Sequence, residues 1–279
     1  NAGTYIQLNH SIEARNIAKS GWNFKSSSSF MTVSFWARSS LAGTYYARIN
    51  TNDGTAYYRI KAFALSANTW TKVSFTFEGN SNLTINNDNG IGIQVVIVPH
   101  YGTTYTGTNA STTAWFTLTS NEYFPDYAQN WGNTSSATFD VTGMQLEVGK
   151  VVTPFKHEDF GDNLVRCQRY FQTIGYDPED TPGTSGNYNG AIETPNPSGS
   201  YFYGHQRFPV IMRAAPTVTL YAVPAGGSET SGITIDWNSG STLGSTSVAR
   251  INSVGYGYLT ASSGASTGAV YRAVLDAEL

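Results

Sequence analysis

Apolar and polar residues alternate through the first half of the chain in short stretches that end at turn residues. In "FMTVSFWARSS" the apolar side chains occupy every second position, and the same period returns in "TKVSFTFEG". A period of two places successive side chains on opposite faces of a strand, so each stretch predicts a half-buried β-strand. The residues predicted to face inward are Met31, Val33, Phe35 and Ala37 in the first stretch and Val73, Phe75 and Phe77 in the second.

Two further stretches are apolar in different ways. "IGIQVVIVP" is a nearly continuous apolar run, which predicts a central strand covered on both faces. "TAWFTLTS" predicts a strand with Ala114, Phe116 and Leu118 on one side and Trp115 on the other. Asp-Gly and Asn-Gly pairs in the intervening loops favour tight reversals. Several short strands at this spacing predict a β-sandwich of the jelly-roll kind.

The apolar period slips by one residue within "TFDVTGMQLEVG". The apolar positions on the two sides of the slip are Phe139 and Val141, then Met144, Leu146 and Val148. One extra residue at Thr142–Gly143 would keep all of them facing a single core, and glycine is common at such a bulge. The stretch therefore predicts one bulged strand, the last of the first domain.

The segment from His157 to Phe171 has a helical rather than a β period. Asp162 is a suitable N-cap, and Leu164, Cys167 and Phe171 recur at helical spacing. This pattern predicts a short helix in which Cys167 is a small, buried packing residue. A strand through "RYFQTI" follows, and then a second group of strands with Gly- and Ser-rich turns.

These patterns together predict an all-β protein with an N-terminal jelly-roll β-sandwich, a short linker helix and a C-terminal β-sandwich domain. The predicted boundaries are residues 1–156 for the first domain, 157–171 for the linker and 172–279 for the C-terminal domain. The composition agrees, because β-branched and aromatic residues suit strands and the 28 glycines suit tight turns.

Charge and cysteine content narrow the classes of function. Charged residues make up 13% of the 279 residues, the net charge is −3 and no basic stripe is present, which argues against nucleic-acid binding. The single cysteine excludes an intrachain disulfide and a cysteine-rich metal site. No apolar run approaches the roughly 20 residues of a membrane helix, so membrane insertion is not expected. The chain starts at Asn1 without Met, which we interpret as a processed chain or the C-terminal part of a longer one.

The residues that enzymes use are scattered along the chain. The histidines are His10, His100, His157 and His205. They form no pair at helical spacing, and no nucleophile elbow, Walker motif or dinucleotide fingerprint is present. The acids of "HEDFGD" flank a predicted helix start, where negative charge interacts favourably with the helix dipole. We therefore expect a protein that is not an enzyme.

No cofactor is expected, except that a structural calcium ion could bind acidic loop residues. Ca²⁺ takes several oxygen ligands, and flexible loops can supply them. The candidate ligands are Asp53, Asp88, Asp177 and Asp180. The alternative is that these acids belong to turns and to a solvated surface loop. We favour that alternative, because the complete EF-hand spacing is missing.

Aromatic residues in polar loops are the best candidates for ligand binding. Flat rings stack on the apolar C–H faces of sugars, while Asn, Asp and Gln bind the hydroxyl groups. The candidate glycan-binding residues are Trp115, Tyr123, Tyr127, Trp131, Tyr188, Tyr201 and Tyr203. The alternative is that these rings cover the edge of the sandwich or pack on a neighbouring subunit. Trp36 and Trp70 lie in or beside predicted core strands and are interpreted as structural.

The stretch "GMQLEVGKVVTPFKHEDFGDNLVRCQRYF" resembles a segment that recurs in tail-fibre and other virion structural proteins of tailed bacteriophages. In that family a strand ending in Q-L-E-x-G and a following T-P-F close a jelly roll similar to carbohydrate-binding modules, and L-x-x-C-Q-R-Y leads into a C-terminal β domain. "VSFWARSSLAG", "NTWTKVSFTFEG" and "FPVIMRAAPTVTL" are similar to other strands of the family, in the same order. The resemblance touches most of the chain and is closest over Gln145–Phe171.

The resemblance implies a homotrimer in an external virion structure, as the receptor-binding C-terminal part of a tail fibre that binds host surface glycan without catalysis. The linker residues that would pack near a threefold axis are Leu164, Cys167, Tyr170 and Phe171. Other virion proteins would bind through residues that precede Asn1. Three alternatives stay open: a capsid decoration or head-fibre protein with a stabilising role, the accessory region of a polysaccharide-degrading tailspike, and a cellular carbohydrate-binding module.

Overall fold

A computed structural model describes residues 2–126, 131–175, 192–195, 201–222, 230–231, 233–236, 242–261 and 268–278 of the chain. The chain divides between His157 and Glu158 into two compact units. Strands dominate both units, and the fold class is all-β, as the alternation predicted. Among the described residues, no helix is long and apolar enough to cross a membrane.

The first unit consists of two antiparallel sheets. Its elements are β1 (Tyr5–Glu13), α1 (Ala14–Ala18), β2 (Phe30–Ser39), β3 (Gly43–Thr51), β4 (Tyr58–Leu65), β5 (Thr71–Glu78), β6 (Ile91–Tyr101), a 3-10 turn (Trp131–Asn133) and β7 (Phe139–Val148). A four-stranded sheet has the order β1-β6-β3-β4, and a three-stranded sheet has the order β5-β2-β7. β6 is an inner strand of its sheet, as its continuous apolar run predicted.

The main hydrophobic core lies between these two sheets. Every residue predicted to face inward from β2 and β5 is buried, so both alternations are confirmed. The four-stranded sheet contributes the facing side chains, which are Tyr45, Ala47, Ile49, Phe63, Leu65, Ile93, Val95 and Ile97. Full burial of a large apolar side chain contributes about 1.5–3 kcal/mol, so each large side chain in this core stabilises the first unit.

The predicted strand over Ala114–Leu118 is wrong. Within this stretch Phe116 forms an isolated bridge with Tyr58 of β4, and the residues around it belong to a loop. Phe116 packs against a second apolar cluster on the other side of the four-stranded sheet, whereas Trp115 packs against the main core. The alternating pattern therefore belongs to a loop segment, in which Trp115 packs against one apolar cluster and Phe116 against the other.

The predicted bulge in β7 is confirmed. Ser34 pairs with Gln145 and Trp36 pairs with Thr142, so two residues of β7 lie opposite the single β2 residue between them. Gly143, in the bulge, has φ +60°, a left-handed conformation that glycine adopts without a Cβ clash.

The bulge restores the inward direction of part of the apolar row. Phe139, Val141 and Leu146 pack against the main core, as predicted. The prediction is wrong for Met144 and Val148, which are 39% and 45% exposed. β7 is an outer strand of its sheet, so the facing sheet does not cover the whole row.

The second unit contains one described helix, α2 (Phe160–Gln168), and nine described strands that form one antiparallel sheet. The strands are β8 (Phe171–Ile174), β9 (Ile192–Pro195), β10 (Tyr201–Arg207), β11 (Thr217–Ala222), β12 (Thr230–Ser231), β13 (Ile233–Asp236), β14 (Thr242–Ala249), β15 (Gly255–Ala261) and β16 (Gly268–Asp276). The first half of β16 pairs with β9 and β13, and its second half pairs with β8 and β11. A separate core forms from Phe208, Met212, Leu220, Tyr256, Tyr271, Ala273, Leu275 and Ala277.

The helix starts earlier than predicted, and its apolar side is not buried. The N-cap is Asp159 rather than Asp162, because the extended Asp159 accepts a hydrogen bond from the backbone N–H of Gly161 at 2.8 Å. Cys167 is exposed rather than buried, with Sγ 3.7 Å from Oδ1 of Asn163. Apolar residues do recur at helical spacing along this segment, but in the single chain none of the helix residues is buried.

The C-terminal part of the segment 157–171 is bonded into the second unit. The backbone oxygen of Tyr170 accepts a hydrogen bond from the N–H of Ala277 at 2.8 Å. Phe171 begins β8, which pairs with β16. The helix and the strand that follows it therefore belong to the second unit.

Candidate functional site

The outer face of the four-stranded sheet, turned away from the main core, carries a row of polar side chains. On β3 the odd-numbered residues from Tyr45 to Ile49 lie in the main core, so the even-numbered Arg48 and Asn50 face outward. On the neighbouring strand β6, Gln94 lies directly opposite Asn50. Strand alternation thus places a cation and two amides on one surface.

A loop of residues 102–126 covers part of this face. Reciprocal backbone hydrogen bonds of 2.8 and 3.0 Å join Phe116 to Tyr58, and the N–H of Tyr123 donates to the oxygen of Tyr105 at 2.9 Å. Sheet and loop together bury a second apolar cluster, which consists of Tyr46, Ile60, Val96, Val98, Tyr101, Ala110 and Phe124. The loop therefore holds aromatic rings in fixed positions beside the polar row.

The guanidinium group of Arg48 lies among three aromatic rings. Its Cζ atom is 5.2 Å from the ring centre of Tyr58, 5.1 Å from that of Tyr123 and 5.2 Å from that of Phe124. Arg48 is 6% exposed, and a desolvated cation–π contact contributes up to about 2 kcal/mol. Arg48 therefore orients the rings around it.

Tyr58 and Tyr101, which lie near Arg48, keep their hydroxyl protons at neutral pH. Burial raises the pKa of Tyr101 to about 12, and the nearby Arg48 partly opposes that shift. Burial also raises the pKa of Tyr58, again against the opposing effect of Arg48. The Tyr101 hydroxyl lies 2.5 Å from Oε1 of Gln7, to which it donates a hydrogen bond.

A chain of amide and hydroxyl groups crosses three strands of the same face. Nδ2 of Asn50 donates to Oε1 of Gln94 at 3.0 Å and to Oδ1 of Asn52 at 2.9 Å. Nε2 of Gln94 in turn donates to Oγ of Ser11 at 3.1 Å. Asn50 is 2% exposed, and its Oδ1 atom has no hydrogen-bond partner among the described residues. Such a buried acceptor costs about 1–3 kcal/mol, and a ligand hydroxyl that donates to it would remove that cost.

Strand β1 forms the rim of this surface. Gln7, Asn9 and Ser11 lie on its outward side, and Asn9 is exposed. Tyr5 is 51% exposed and stacks on Tyr101, with ring centres 5.1 Å apart. We refer to the surface formed by Ser11, Arg48, Asn50, Gln94 and Tyr123, with this rim, as the outer-face site.

The outer-face site suits a neutral, hydroxyl-rich ligand. Amides both donate to and accept from hydroxyl groups, and ring faces contact apolar C–H groups. None of the side chains that define the site is a carboxylate, a histidine or a thiol. In the described ranges of the chain, no group of three or more His, Cys, Asp or Glu side chains could hold a metal ion. The arrangement therefore provides groups that bind and orient a ligand.

The structure places Tyr123 in the outer-face site and two other predicted glycan-binding residues elsewhere. Trp115 packs against the main core, and its Nε1 donates to the backbone oxygen of Glu78 at 2.9 Å. Trp131 also packs against the main core, with Nε1 3.2 Å from the backbone oxygen of Thr138. Both tryptophans therefore pack within the first unit, and their role in glycan binding stays a prediction.

The side chains of the other four predicted glycan-binding residues lie outside the described part of the chain. Tyr127 and Tyr188 lie outside the described residues. Tyr201 and Tyr203 are in β10 of the second unit. Their role in glycan binding stays a prediction.

Trp36 and Trp70 are more exposed than their interpretation as structural residues implied. Each is 42% exposed. The Cζ atom of Arg38 lies 5.2 Å from the ring centre of Trp70, and Arg38 forms an ion pair with Asp140 at 3.0 Å. Trp36 extends from β2 on the face opposite its buried row, which is why it remains in contact with solvent.

The two described calcium candidates accept hydrogen bonds from protein groups. Both carboxylate oxygens of Asp53 accept hydrogen bonds from Asn86, at 2.8 and 3.0 Å. Oδ1 of Asp88 accepts a hydrogen bond from the backbone N–H of Gly90 at 2.9 Å. The other two candidates, Asp177 and Asp180, lie outside the described residues. A contact between two loops accounts for the position of Asp53, and a local turn accounts for that of Asp88.

The sequence-based choice of site residues missed Arg48, Asn50 and Gln94. A signal was present in "YYARINTN", where alternation puts Arg48 and Asn50 on the face opposite Ala47 and Ile49. Gln94 is the one polar interruption in the apolar run of β6. Pairing of β3 with β6 brings these amides together, and no local pattern specifies that pairing.

No family model matches the chain. No curated protein matches it either. Among solved structures, the chain is similar to wild-type discoidin II from Dictyostelium discoideum, with 11% identity, coverage of 97% of this chain and 93% of that chain, and a TM-score of 0.20. A second structure, native recombinant discoidin II from the same organism, is 11% identical over 98% of this chain and 93% of that chain, with a TM-score of 0.17. TM-scores this low carry no argument for fold or function, and the strands of the chain themselves define the class: an all-β protein with a polar and aromatic surface site.

Proposed function

We propose that the chain is a non-catalytic, glycan-binding part of an external bacteriophage virion structure, namely the receptor-binding C-terminal part of a tail fibre. The observation that carries the binding function is the outer-face site. There the buried Oδ1 of Asn50 has no donor among the described residues, its Nδ2 donates to the amides of Asn52 and Gln94, and two residues along the same strand Arg48 lies against aromatic rings. A surface that combines unsatisfied amide groups with aromatic rings matches the chemistry of a sugar.

The virion assignment rests on the resemblance of the segment Gly143–Phe171 to tail-fibre proteins. The order of elements supports it, because β7 is the last strand of the first unit, and α2 and β8 begin the second. The family implies the same order: a closing strand, a short acidic and helical stretch, and a C-terminal β domain.

Binding at the outer-face site requires no chemical step. Oδ1 of Asn50 is closed to solvent in the unliganded chain, so in the proposed complex neighbouring side chains move aside and a sugar hydroxyl donates to that atom. The half-exposed ring of Tyr5 contacts an apolar C–H face. Each hydrogen bond contributes a net of about 0.5–1.5 kcal/mol, so one site binds weakly. Several copies on one particle raise the apparent affinity without new contacts, because the second and later binding events become intramolecular.

A homotrimer is part of the proposal, and helix α2 supports it. Phe160, Leu164 and Val165 are 79%, 43% and 52% exposed in the single chain. A helix shorter than about 12 residues is marginal in water unless an apolar side is packed against something else. Copies of the same helix from two further chains would cover these side chains, as symmetric association requires.

Binding of the purified chain to host surface polysaccharide tests the proposed function. Asn50→Leu keeps a side chain of similar size but removes the amide, and Asn82→Leu makes the same change at an exposed loop position of the same unit. We expect the first variant to lower the affinity by about tenfold or more, and the second to leave it unchanged. Equal affinity of both variants and the wild type would exclude the outer-face site. A folded wild type that binds neither host cells nor their polysaccharide would exclude the receptor role.

A further inference from the structure

The second unit contains an open cleft of about 490 Å³ that is separate from the outer-face site. Side chains from β10, β15 and the loop between β14 and β15 line it, and those that matter here are Gln206, Arg207, Arg250, Asn252, Val254 and Tyr256. Two of them are arginines, and no described lining residue is acidic. The net charge of the whole chain is −3, so the positive charge of the cleft is a local feature.

The loop that forms one wall of this cleft is held in place by hydrogen bonds that involve its backbone N–H and carbonyl groups. Oδ1 of Asn252 accepts hydrogen bonds from the N–H groups of Val254 and Gly255, at 2.8 and 3.0 Å. The N–H of Phe208 donates to the oxygen of Val254 at 2.9 Å, and the N–H of Met212 donates to the oxygen of Ser253 at 2.9 Å. The wall is therefore preorganised before a ligand binds.

Arg250, which is part of this wall, has a backbone conformation that is rare for arginine. Its φ is +57°, in the left-handed region that favours glycine. A Cβ atom added to Gly257 would lie 3.3 Å from Cβ and 3.5 Å from Cδ of Arg250, so the absence of a side chain at 257 leaves space for the arginine stem. Strained non-glycine residues concentrate at binding sites, where a specific side chain is needed in a specific place.

Arg207 supplies the second positive charge at the end of β10. It pairs with Gly255, the first residue of β15, and is exposed. A guanidinium group is planar and donates two parallel hydrogen bonds to a carboxylate or phosphate. Both arginines line this cleft, and each guanidinium group can bind an oxyanion.

The remaining walls suit a sugar ring rather than a bare ion. Tyr256 is 2% exposed at the base, and its hydroxyl lies 2.9 Å from that of Tyr271. Val254 is 44% exposed and presents an apolar surface. The amide of Gln206 donates to the backbone oxygen of Arg207 at 2.9 Å and keeps its own oxygen as an acceptor for hydroxyl groups.

We propose that this cleft is a second saccharide site, specific for an acidic sugar whose carboxylate or phosphate group binds Arg207 and Arg250. This second proposal rests on the proposed function, because it assumes that the ligand is a saccharide. It differs from the outer-face site in its location, its charge and the residues that a variant would change. The two sites together would bind a host polysaccharide that contains both neutral and acidic residues.

NMR titration of the full chain with single sugars tests this proposal. The probes are methyl glucuronide, glucose 6-phosphate and the neutral methyl glucoside, and the readouts are the backbone amides of Val254, Gly255 and Gly257. We expect saturable shifts with one or both charged sugars and none with the neutral one. The charged sugar that binds more tightly distinguishes a carboxylate from a phosphate ligand.

Single variants then identify the groups that bind. Arg207→Gln and Arg250→Gly, the latter chosen because glycine accepts the positive φ, should each weaken binding by roughly tenfold or more. Lys19→Gln removes one positive charge at an exposed position of the first unit and should change nothing. Equal shifts with the neutral sugar, no shifts with any sugar, or unchanged affinity in both arginine variants would overturn the proposal. Asn50→Leu should leave these shifts intact, so a failure of the outer-face site is distinguishable from a failure of this cleft.

Discussion

Oε1 of Gln94 on β6 accepts a hydrogen bond from Nδ2 of Asn50 on β3, at 3.0 Å, while Oδ1 of the same Asn50 has no partner among the described residues. The Asn50 side chain is thus fixed by its donor atoms and leaves an acceptor unused in a buried position. In an amide with a purely structural role, both the nitrogen and the oxygen would have hydrogen-bond partners, because an unmade buried hydrogen bond destabilises the folded state. This asymmetry is the reason for assigning Asn50 to ligand binding.

Asn50→Leu should separate binding from stability. Leucine removes the unsatisfied acceptor, and the half-buried Gln94 amide can exchange its lost partner for water. We expect the free energy of unfolding in urea to rise or to stay within about 1 kcal/mol of the wild-type value, while the affinity for polysaccharide falls by about tenfold or more. A decrease of about 3 kcal/mol or more would instead identify the amide row as a structural network.

Gly143→Ala should destabilise the first unit through the backbone alone. The residue has φ +60°, and an added Cβ would approach Trp36 no closer than 3.5 Å, an ordinary contact. A left-handed alanine costs about 1–2 kcal/mol, which thermal or urea unfolding would measure. Gly3→Ala is the matched control, because nothing lies within 4 Å of its added Cβ. Equal effects of the two substitutions would contradict the bulge at Gly143.

Glu78→Gln should be far more damaging than the same change at Glu158. Nε of Arg59 donates to Oε1 of Glu78 at 3.0 Å, and the Arg59 side chain is only 5% exposed. Removing the carboxylate leaves a buried guanidinium group without its counter-charge, and we expect a loss of about 3 kcal/mol in unfolding free energy.

Glu158 provides the comparison, since its partner Arg166 has a side chain that is 65% exposed. An exposed ion pair contributes about 0–1 kcal/mol, so Glu158→Gln should lie within that range. Urea denaturation of both variants measures the difference. Similar losses at the two positions would mean that burial of Arg59 does not set the strength of its ion pair.

Alkaline pH should destabilise the first unit through Tyr101. Burial raises its pKa to about 12, from the ordinary value of 10.0 that it has when unfolded. Between these values the unfolded chain loses the proton and the folded chain keeps it, so the free energy of unfolding falls as the pH rises. The difference of about two pKa units corresponds to about 2–3 kcal/mol.

Tyr101→Phe removes this contribution, and its unfolding free energy should fall less steeply between pH 10 and 12. Urea denaturation at several pH values, with tyrosinate absorbance as a second readout, measures the effect. An identical pH dependence in the variant and the wild type would show that Tyr101 titrates normally.

The reactivity of Cys167 should report whether α2 packs against other copies. Cys167 is the single cysteine of the chain and is exposed in one subunit. In a trimer assembled through α2 the thiol should react slowly with a maleimide. Leu164→Asp should shift the native mass from trimer to monomer and speed the labelling, because a charge cannot be buried without a partner.

Val151→Asp is the control for this experiment, since Val151 is an apolar residue of the first unit that is 75% exposed. It should change neither the native mass nor the labelling rate. A monomeric wild type with rapid labelling would exclude assembly through α2.

The sequence predicted the parts of the fold that depend on a local period. Alternation identified the inward rows of β2 and β5, and the slip in that alternation located the bulge at Gly143, because side chains along one strand point to fixed sides. Prediction from the sequence failed where residues outside the segment determine whether a side chain is buried. Cys167 has helical apolar spacing but is exposed, since spacing specifies one side of a helix and not what covers it.

The candidate site depends on partners that are distant along the chain. Asn50 and Gln94 are 44 residues apart, and they meet because β3 and β6 pair in one register. Arg48 gains its aromatic neighbours because the loop of residues 102–126 folds back over the same sheet. The sequence by itself determined an all-β chain and which side chains of β2 and β5 turn inward, because those properties follow from the period of a strand. The tertiary structure alone decided which outward side chains share a surface, because strand pairing and loop placement depend on the packing of the whole unit.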